Sequence, residues 1–196
     1  MATDTTTTLA DLVWPRRGAW SATLEVVAAS LFLALAAQVA IRLPFTPVPV
    51  TGQTFGVLLT GSLLGSRRGT AAVLLYLLEA GAGLPFLAAG GTGWPWTLGP
   101  LGGYLVGFVL MVWLVGRLSE RRWDRRFRTS VLVMLAGEAA VYAVGVPWLA
   151  FYVGGLGKAL VLGLLPFLPG DALKLLLAAG LLPAGWRWLG RRPRRR

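Results

Sequence analysis

Two ionisable residues stand inside a run otherwise fit for lipid or a protein core: LPFLPGDALKLLLAAGL, residues 165–181, holds Asp171 and Lys174. A carboxylate accepts N–H donors, and an ammonium meets a carboxylate or carbonyl oxygen. Three residues apart on a helix, the two share one face. Pro169-Gly170 interrupts the helix just before them, so Asp171 falls in the first turn of the helical part after the break, where the positive helix end suits a carboxylate. Two readings stay open. The pair is a self-neutralising bridge that makes insertion cheaper, or it is a grip for a ligand. A charge at mid-bilayer costs about 2.5–3.5 kcal/mol on insertion scales, so such groups usually face a cavity or a partner. A broken helix carrying charge inside a bundle is also how transporter sites are built. Glu25, Glu79 and Glu138 lie in other apolar stretches. Glu25 is near a helix end, within reach of the interface. Glu79 and Glu138 are site residues or partners of each other or of backbone.

Other chemistry is limited by what the chain lacks. Without Cys or His there is no thiol nucleophile, no Ser–His pair and no common zinc ligand. GSLLGSRRGT sets glycines beside cations but lacks the Gly-Lys-Ser/Thr ending of a phosphate-binding loop. We therefore expect no catalytic residue, no metal and no cofactor, and not an enzyme; a membrane enzyme using carboxylates alone is the alternative.

The elements that would position these residues are membrane spans. Hydrophobic residues make up 56% of the 196 and charged ones only 14%, too little polar surface to cover a soluble domain. Nine Trp suit anchoring at membrane interfaces. Residues 20–41 are long enough to cross a bilayer core. LPFTPVPVTG comes next as a rigid loop, since Pro cannot sit in a helix interior. Residues 53–65 are apolar but short, suggesting a tilted, broken or re-entrant helix. Further segments are expected at 69–88, 101–118, 130–150 and 158–182. The expected architecture is thus an all-α bundle of six transmembrane helices, with a tail over 1–19, the membrane domain over 20–185 and a basic tail over 186–196.

Six spans put both termini on one side. Sixteen of the 19 Lys and Arg residues then fall on that side, leaving Arg42 and Lys158 opposite and Lys174 within a segment. The positive-inside rule makes the crowded face cytoplasmic, in a prokaryotic-type plasma membrane. Orientation accounts for the +11 net charge, so nucleic-acid binding is not expected. Arg16-Arg17, an apolar run and Ala34-Leu35-Ala36 also have the layout of a cleavable signal peptide, but the run continues to Ile41, which favours a retained span.

Four stretches, LPFTPVPVTGQTFGVLLTGSLLGSRRG (43–69), GLPFLAAGGTG (83–93), LGPLGGYLVGF (98–108) and PFLPGDALK (166–174), together resemble the BioY family, the biotin-binding S-components of energy-coupling-factor transporters. The resemblance implies a six-helix bundle that captures biotin from outside. Energy would come from a transmembrane coupling protein and ATP-hydrolysing subunits. It implies that Asp171 accepts the ureido N–H groups and that Lys174 binds the carboxylate or the ureido oxygen. Gly91 and Thr92 match the glycine-rich loop, Tyr104 the start of the fourth helix, and Gln53 the block that would cover the outer mouth. Tyr142 and Trp148 are candidate aromatic walls, with helix packing as the alternative. Ser30, Ala34, Ala36 and Ala40, small residues four apart, would offer the docking surface for the coupling protein, or else pack within the bundle. A proton-coupled carrier in which Glu79, Glu138 and Asp171 titrate is the competing mechanism.

Overall fold

Lipid offers no hydrogen-bond partners to a backbone, so each long apolar stretch satisfies its own N–H and C=O groups as helix. The computed structural model describes residues 8–13 and 19–190. A short helix α1 (Leu9–Val13) precedes α2 (Ala19–Gln38). A two-residue ribbon, β1 (Ala40–Ile41) and β2 (Val50–Thr51), pairs antiparallel with Ala40 opposite Thr51. Then come α3 (Gln53–Gly81), α4 (Trp94–Leu98), α5 (Gly102–Glu120), α6 (Phe127–Val153), α7 (Leu156–Gly163) and α8 (Leu168–Gly190). Helices α2, α5, α6 and α8 are each long and apolar enough to cross a membrane.

Helix α3 is two limbs. Gly65 takes φ 81° and ψ −179°, a conformation open to glycine and costly for other residues. The chain folds back there: a Cβ built on Gly69 would lie 3.3 Å from Cα of Gly61, and Gln53 meets Tyr76 across the far end of the hairpin. Residues 53–64 and 66–81 are therefore antiparallel neighbours, which gives six long helical segments among the described residues. Glu120 closes the bend, accepting from Ser66 N and Oγ, both at 2.8 Å.

The hairpin packs on α2 and α5, and α6 packs on α5, α7 and α8. Small residues bring α5 and α6 close: a side chain on Gly103 would collide with Trp148, and one on Gly107 would meet Val141. Such contacts hold helices together where lipid supplies no hydrophobic drive. The core runs along these seams, with Tyr76, Met111, Met134 and Leu149 fully buried.

Several boundaries differ from the sequence expectation. The first helix stops at Gln38 because residues 40–41 pair with 50–51 instead, making the proline-rich block the tip of a ribbon. Part of the expected tail is folded: Leu9 is buried and approaches Gly185 on α8. At the other terminus α8 runs on to Gly190. Trp186 donates from Nε1 to Asp124 Oδ2 at 2.6 Å, so residues 186–190 belong to the bundle. Residues 1–7, 14–18 and 191–196, which complete the two expected tails, lie outside the described residues.

The first turns of the chain, the Gly65 bend, the α5–α6 loop and the end of α8 gather at one end of the bundle. The ribbon, the 82–101 loops, α7 and the start of α8 gather at the other.

Candidate ligand-binding site

Helix α8 begins at Leu168, so Pro169 occupies its opening turn, where the missing N–H costs nothing, and Asp171 stands in the same turn. The interruption expected at Pro169-Gly170 lies just upstream, over residues 164–167 between α7 and α8. Asp171 is buried. Its Oδ1 accepts from Lys174 Nζ at 2.9 Å and from Thr54 Oγ1 at 3.3 Å, and its Oδ2 accepts from the Tyr142 hydroxyl. Lys174 also donates to Thr54 Oγ1 at 3.0 Å. Three helices thus meet on one carboxylate: α8 supplies the ion pair, α3 supplies Thr54 from its first turn, and α6 supplies Tyr142.

This constellation opens into a cavity with an empty volume of about 600 Å³, mouth included. Its walls are mostly apolar. Leu105 and Phe108 come from α5, Val141 from α6, Leu87 and Ala88 from the loop after α3, and Phe167 from the turn before α8. Val48, Pro49 and Thr51 close it from the ribbon side. The ribbon tip is held down because Thr46 Oγ1 donates to Leu162 O at 2.7 Å. An apolar recess with a few convergent polar groups is the usual make-up of a small-molecule site.

Tyr104 stands edge-on to Tyr142, ring centroids 6.4 Å apart. It spends its hydroxyl on Gly163 O at 2.8 Å, so it presents ring rather than hydroxyl to the cavity. Gly163 and Gly145 leave room for it; a Cβ on Gly145 would come 2.5 Å from the ring. Gln53 lines the cavity but is engaged. Its Nε2 donates to Tyr76 Oη at 2.7 Å, and its Oε1 accepts from Thr51 Oγ1 at 3.1 Å. It ties the hairpin's two outer ends to the ribbon.

The structure therefore brings Asp171, Lys174, Tyr142, Tyr104 and Gln53 together around one cavity. Gly91 and Thr92 stand apart from its lining: Gly91 is buried in the loop fold and Thr92 is exposed, with its hydroxyl 3.4 Å from Ala80 O. That loop contributes Leu87 and Ala88 instead. Trp148 packs beneath Gly103 and donates to Gly99 O at 3.0 Å, holding the α4–α5 turn rather than lining the cavity.

Two of the four small residues expected to form a docking surface, Ser30 and Ala34, face inward. Ser30 is fully buried, donating to Val27 O at 2.9 Å, and Ala34 is buried beside it. Ala36 packs on the hairpin, 3.3 Å from the Cβ position of Gly56. Ala40 is half-buried in the ribbon. Ser30, Ala34 and Ala36 thus take part in a seam within the bundle, the alternative to a docking stripe: small side chains let α2 approach α3 closely. Its outward face carries Leu24, Leu31, Leu35 and Val39.

Thr54, missed in the sequence, lies one residue past Gln53 in the Thr-Gly-Gln-Thr block; the polar block at a helix start was its only signal. Phe108 and Phe167 had none beyond being aromatic near a motif. Of the other intramembrane acids, Glu25 is paired with Arg68, and Glu79 accepts from Ser30 Oγ at 3.5 Å. Glu138 is different. It is buried one turn before Tyr142 on α6, neither carboxyl oxygen has a hydrogen-bond partner, and its charged neighbours are Asp171 and Lys174.

The sequence matches the BioY family over residues 9–191. A protein of Rhizobium etli named biotin transporter BioY is 37% identical over 164 residues, spanning 80% of this chain and 87% of the relative. A Thermotoga maritima protein of the same name is 39% identical over 156 residues, spanning 79% and 91%. The crystal structure of the S-component for biotin from an ECF-type ABC transporter superposes with a TM-score of 0.74 at 29% identity, covering 89% of this chain and 93% of that one.

Proposed function

We infer that this chain, which belongs to the BioY family, is a membrane-embedded biotin-binding subunit that serves biotin uptake. The observation that carries the reading is the convergence of Asp171, Lys174, Thr54 and Tyr142 on the floor of an otherwise apolar cavity. Biotin has the matching chemistry. Its ureido ring offers two N–H donors and one carbonyl, its thiophane ring and chain are apolar, and its tail is a carboxylate. Asp171 accepts one ureido N–H, and Lys174 donates a hydrogen bond to the adjacent carbonyl. Phe108, Phe167 and Val141 enclose the rings, and the tail points toward the ribbon and mouth.

Asp171 Oδ1 takes two hydrogen bonds, from Lys174 and Thr54, whereas Oδ2 takes one, from Tyr142. Each carboxylate oxygen has room for two, so Oδ2 keeps a place for a ureido N–H without loss of a protein partner.

The basic end of the bundle is assigned to the cytoplasm by the positive-inside rule, with both termini there and the cavity mouth outside, in a prokaryotic plasma membrane. Concentrative transport then requires partners: a transmembrane coupling protein and ATP-hydrolysing subunits, the assembly to which the structural relative belongs by its description. Glu138 favours a second mechanism, a self-sufficient proton-coupled carrier, because it places an unpartnered titratable group beside the grip.

The test is calorimetric titration of biotin into the purified chain in detergent, with Lys174→Ala alongside. Saturable binding near one biotin per chain, weakened about thirtyfold or more in the variant, is expected. Absence of heat in a folded chain would leave Asp171 and Lys174 as a structural bridge. Uptake into vesicles lacking any ATPase but carrying a pH gradient would instead select the carrier mechanism.

A further inference from the structure

Away from the cavity, at the basic end of the bundle, a cleft opens sideways between the second limb of α3 and α5. It is lined by Ser66, Arg67, Thr70, Trp113 and Arg117. Arg67 is exposed and, among the described residues, makes no hydrogen bond or ion pair. Arg117 lies 3.6 Å from Oε2 of Glu120, whose Oε1 accepts from Ser66. With Arg67 added, two guanidinium groups face one carboxylate and leave the cleft net cationic. Thr70 Oγ1 lies in its wall, shielded from solvent and without a hydrogen-bond partner. Trp113, 46% exposed, stands between the two arginines and the apolar surface.

That surface continues up the same two helix faces. Leu74 lies one turn past Thr70, and Leu110 almost one turn before Trp113; both are exposed. The cleft is therefore cationic at its foot and apolar above, with an aromatic ring at the boundary. An amphiphile with a negative head and hydrocarbon tails matches this order. A free phosphate matches only the foot.

We propose that this cleft is a binding site for one anionic phospholipid of the inner leaflet, its phosphodiester held by Arg67 and Arg117, and its acyl chain laid along Leu74 and Leu110. Basic pockets between helices on the cytoplasmic side of a membrane hold lipid head groups in this way. The site is independent of what the cavity at the other end binds.

The experiment is native mass spectrometry of the full chain released from nanodiscs holding equal phosphatidylglycerol and phosphatidylcholine, repeated with Arg67→Gln/Arg117→Gln and with Arg121→Gln/Arg128→Gln. The second pair lies at the same end but outside the cleft. The parent is expected to retain phosphatidylglycerol preferentially. The cleft variant should lose roughly 25-fold of that preference, at about fivefold per arginine near a charged surface, and the control should keep it. Equal loss in both variants, or no preference in the parent, overturns the site. Soluble glycerol phosphate is added in a further arm; if it displaces the lipid at equimolar concentration, the cleft is a phosphate site and the acyl groove is wrong. Circular dichroism and elution as a single species establish that each variant is folded. Arg67→Lys/Arg117→Lys, which keeps the charge, should restore most of the preference.

Discussion

At the mouth end of the bundle, Asp171, Lys174, Thr54 and Tyr142 converge on one small volume and leave an apolar space beside it. At the opposite end, charged groups tie separate segments together, and the open space beside them is lined by charge. Arg68 bridges Asp11 at 2.9 Å and Glu25, and also donates to Thr8 Oγ1 at 3.0 Å, so it fixes α1 and α2 to the hairpin. Glu120 closes the Gly65 bend, and Asp124 holds α8 through Trp186, whose ring also carries the Arg125 guanidinium at 4.0 Å. The difference teaches that burial of a charge does not by itself mark a site. Arg68 and Asp171 are similarly enclosed. What distinguishes Asp171 is the lining of the space beside it: its partners border a mostly apolar cavity walled by Phe108, Phe167 and Leu105, whereas the space beside Arg68 is lined by Arg67, Arg117 and Glu120.

Substitutions at the two ends should separate these uses. The largest effect is expected from Asp171→Asn, which removes the negative charge, replaces one of the two acceptor oxygens by a donor and leaves Lys174 without its partner charge. Biotin affinity should fall thirtyfold to several-hundredfold, about 2–4 kcal/mol, in a chain that still elutes as a folded monodisperse species. Unchanged affinity would place the ligand elsewhere. Next is Arg68→Ala, which takes the guanidinium away from two partly buried carboxylates, Asp11 and Glu25. The midpoint of thermal unfolding should drop by the equivalent of about 3 kcal/mol, while the biotin dissociation constant stays within about twofold. A matching loss of affinity would show that the two ends are coupled and would break the contrast.

The smallest effect is expected at Asp124. Burial pushes its carboxyl above the ordinary carboxylate range, offset in part by the hydrogen bond from Trp186. A carboxyl whose folded value lies above its unfolded value near 3.9 supports the fold fully below about pH 4, and that support is lost as pH rises through the folded value. Asp124→Asn keeps an acceptor for Trp186 and removes the loss. Melting curves of parent and variant should converge at low pH, with the variant equal or slightly higher near neutrality. A variant less stable at neutral pH would mean that the charge, not the acceptor, holds α8.

The Asp171–Lys174 pair was legible in the sequence because a helix break leading into Asp-x-x-Lys has few physical readings within an apolar run. The six-segment order was legible too, including the shortness of residues 53–65, although the sharp reversal at Gly65 depends on a backbone angle that composition does not disclose. The ribbon was not foreseen: two-residue strands leave no periodicity, and the apolar run masked the end of α2. The inward turn of Ser30 and Ala34 escaped for a related reason. Alanines stud most of α2, so spacing alone could not tell the face that meets α3 from the face that meets lipid. Thr54 and Tyr142 required three helices to be placed before either could be seen to touch Asp171.

The first limb of α3 has one more consequence. Residues 53–64 make a helix about 18 Å long at 1.5 Å per residue, whereas the hydrocarbon layer is about 30 Å thick. It is enough because the bend starts partway along α2, where Arg68 pairs with Glu25, and the tip of the limb comes level with the end of α2, where Gly52 N donates to Val39 O at 2.9 Å. The limb acts as a ruler: a single added turn would lift Thr54 by about 5 Å and part it from Asp171, so the length of one short helix sets which residues of α3 and α8 stand opposite each other.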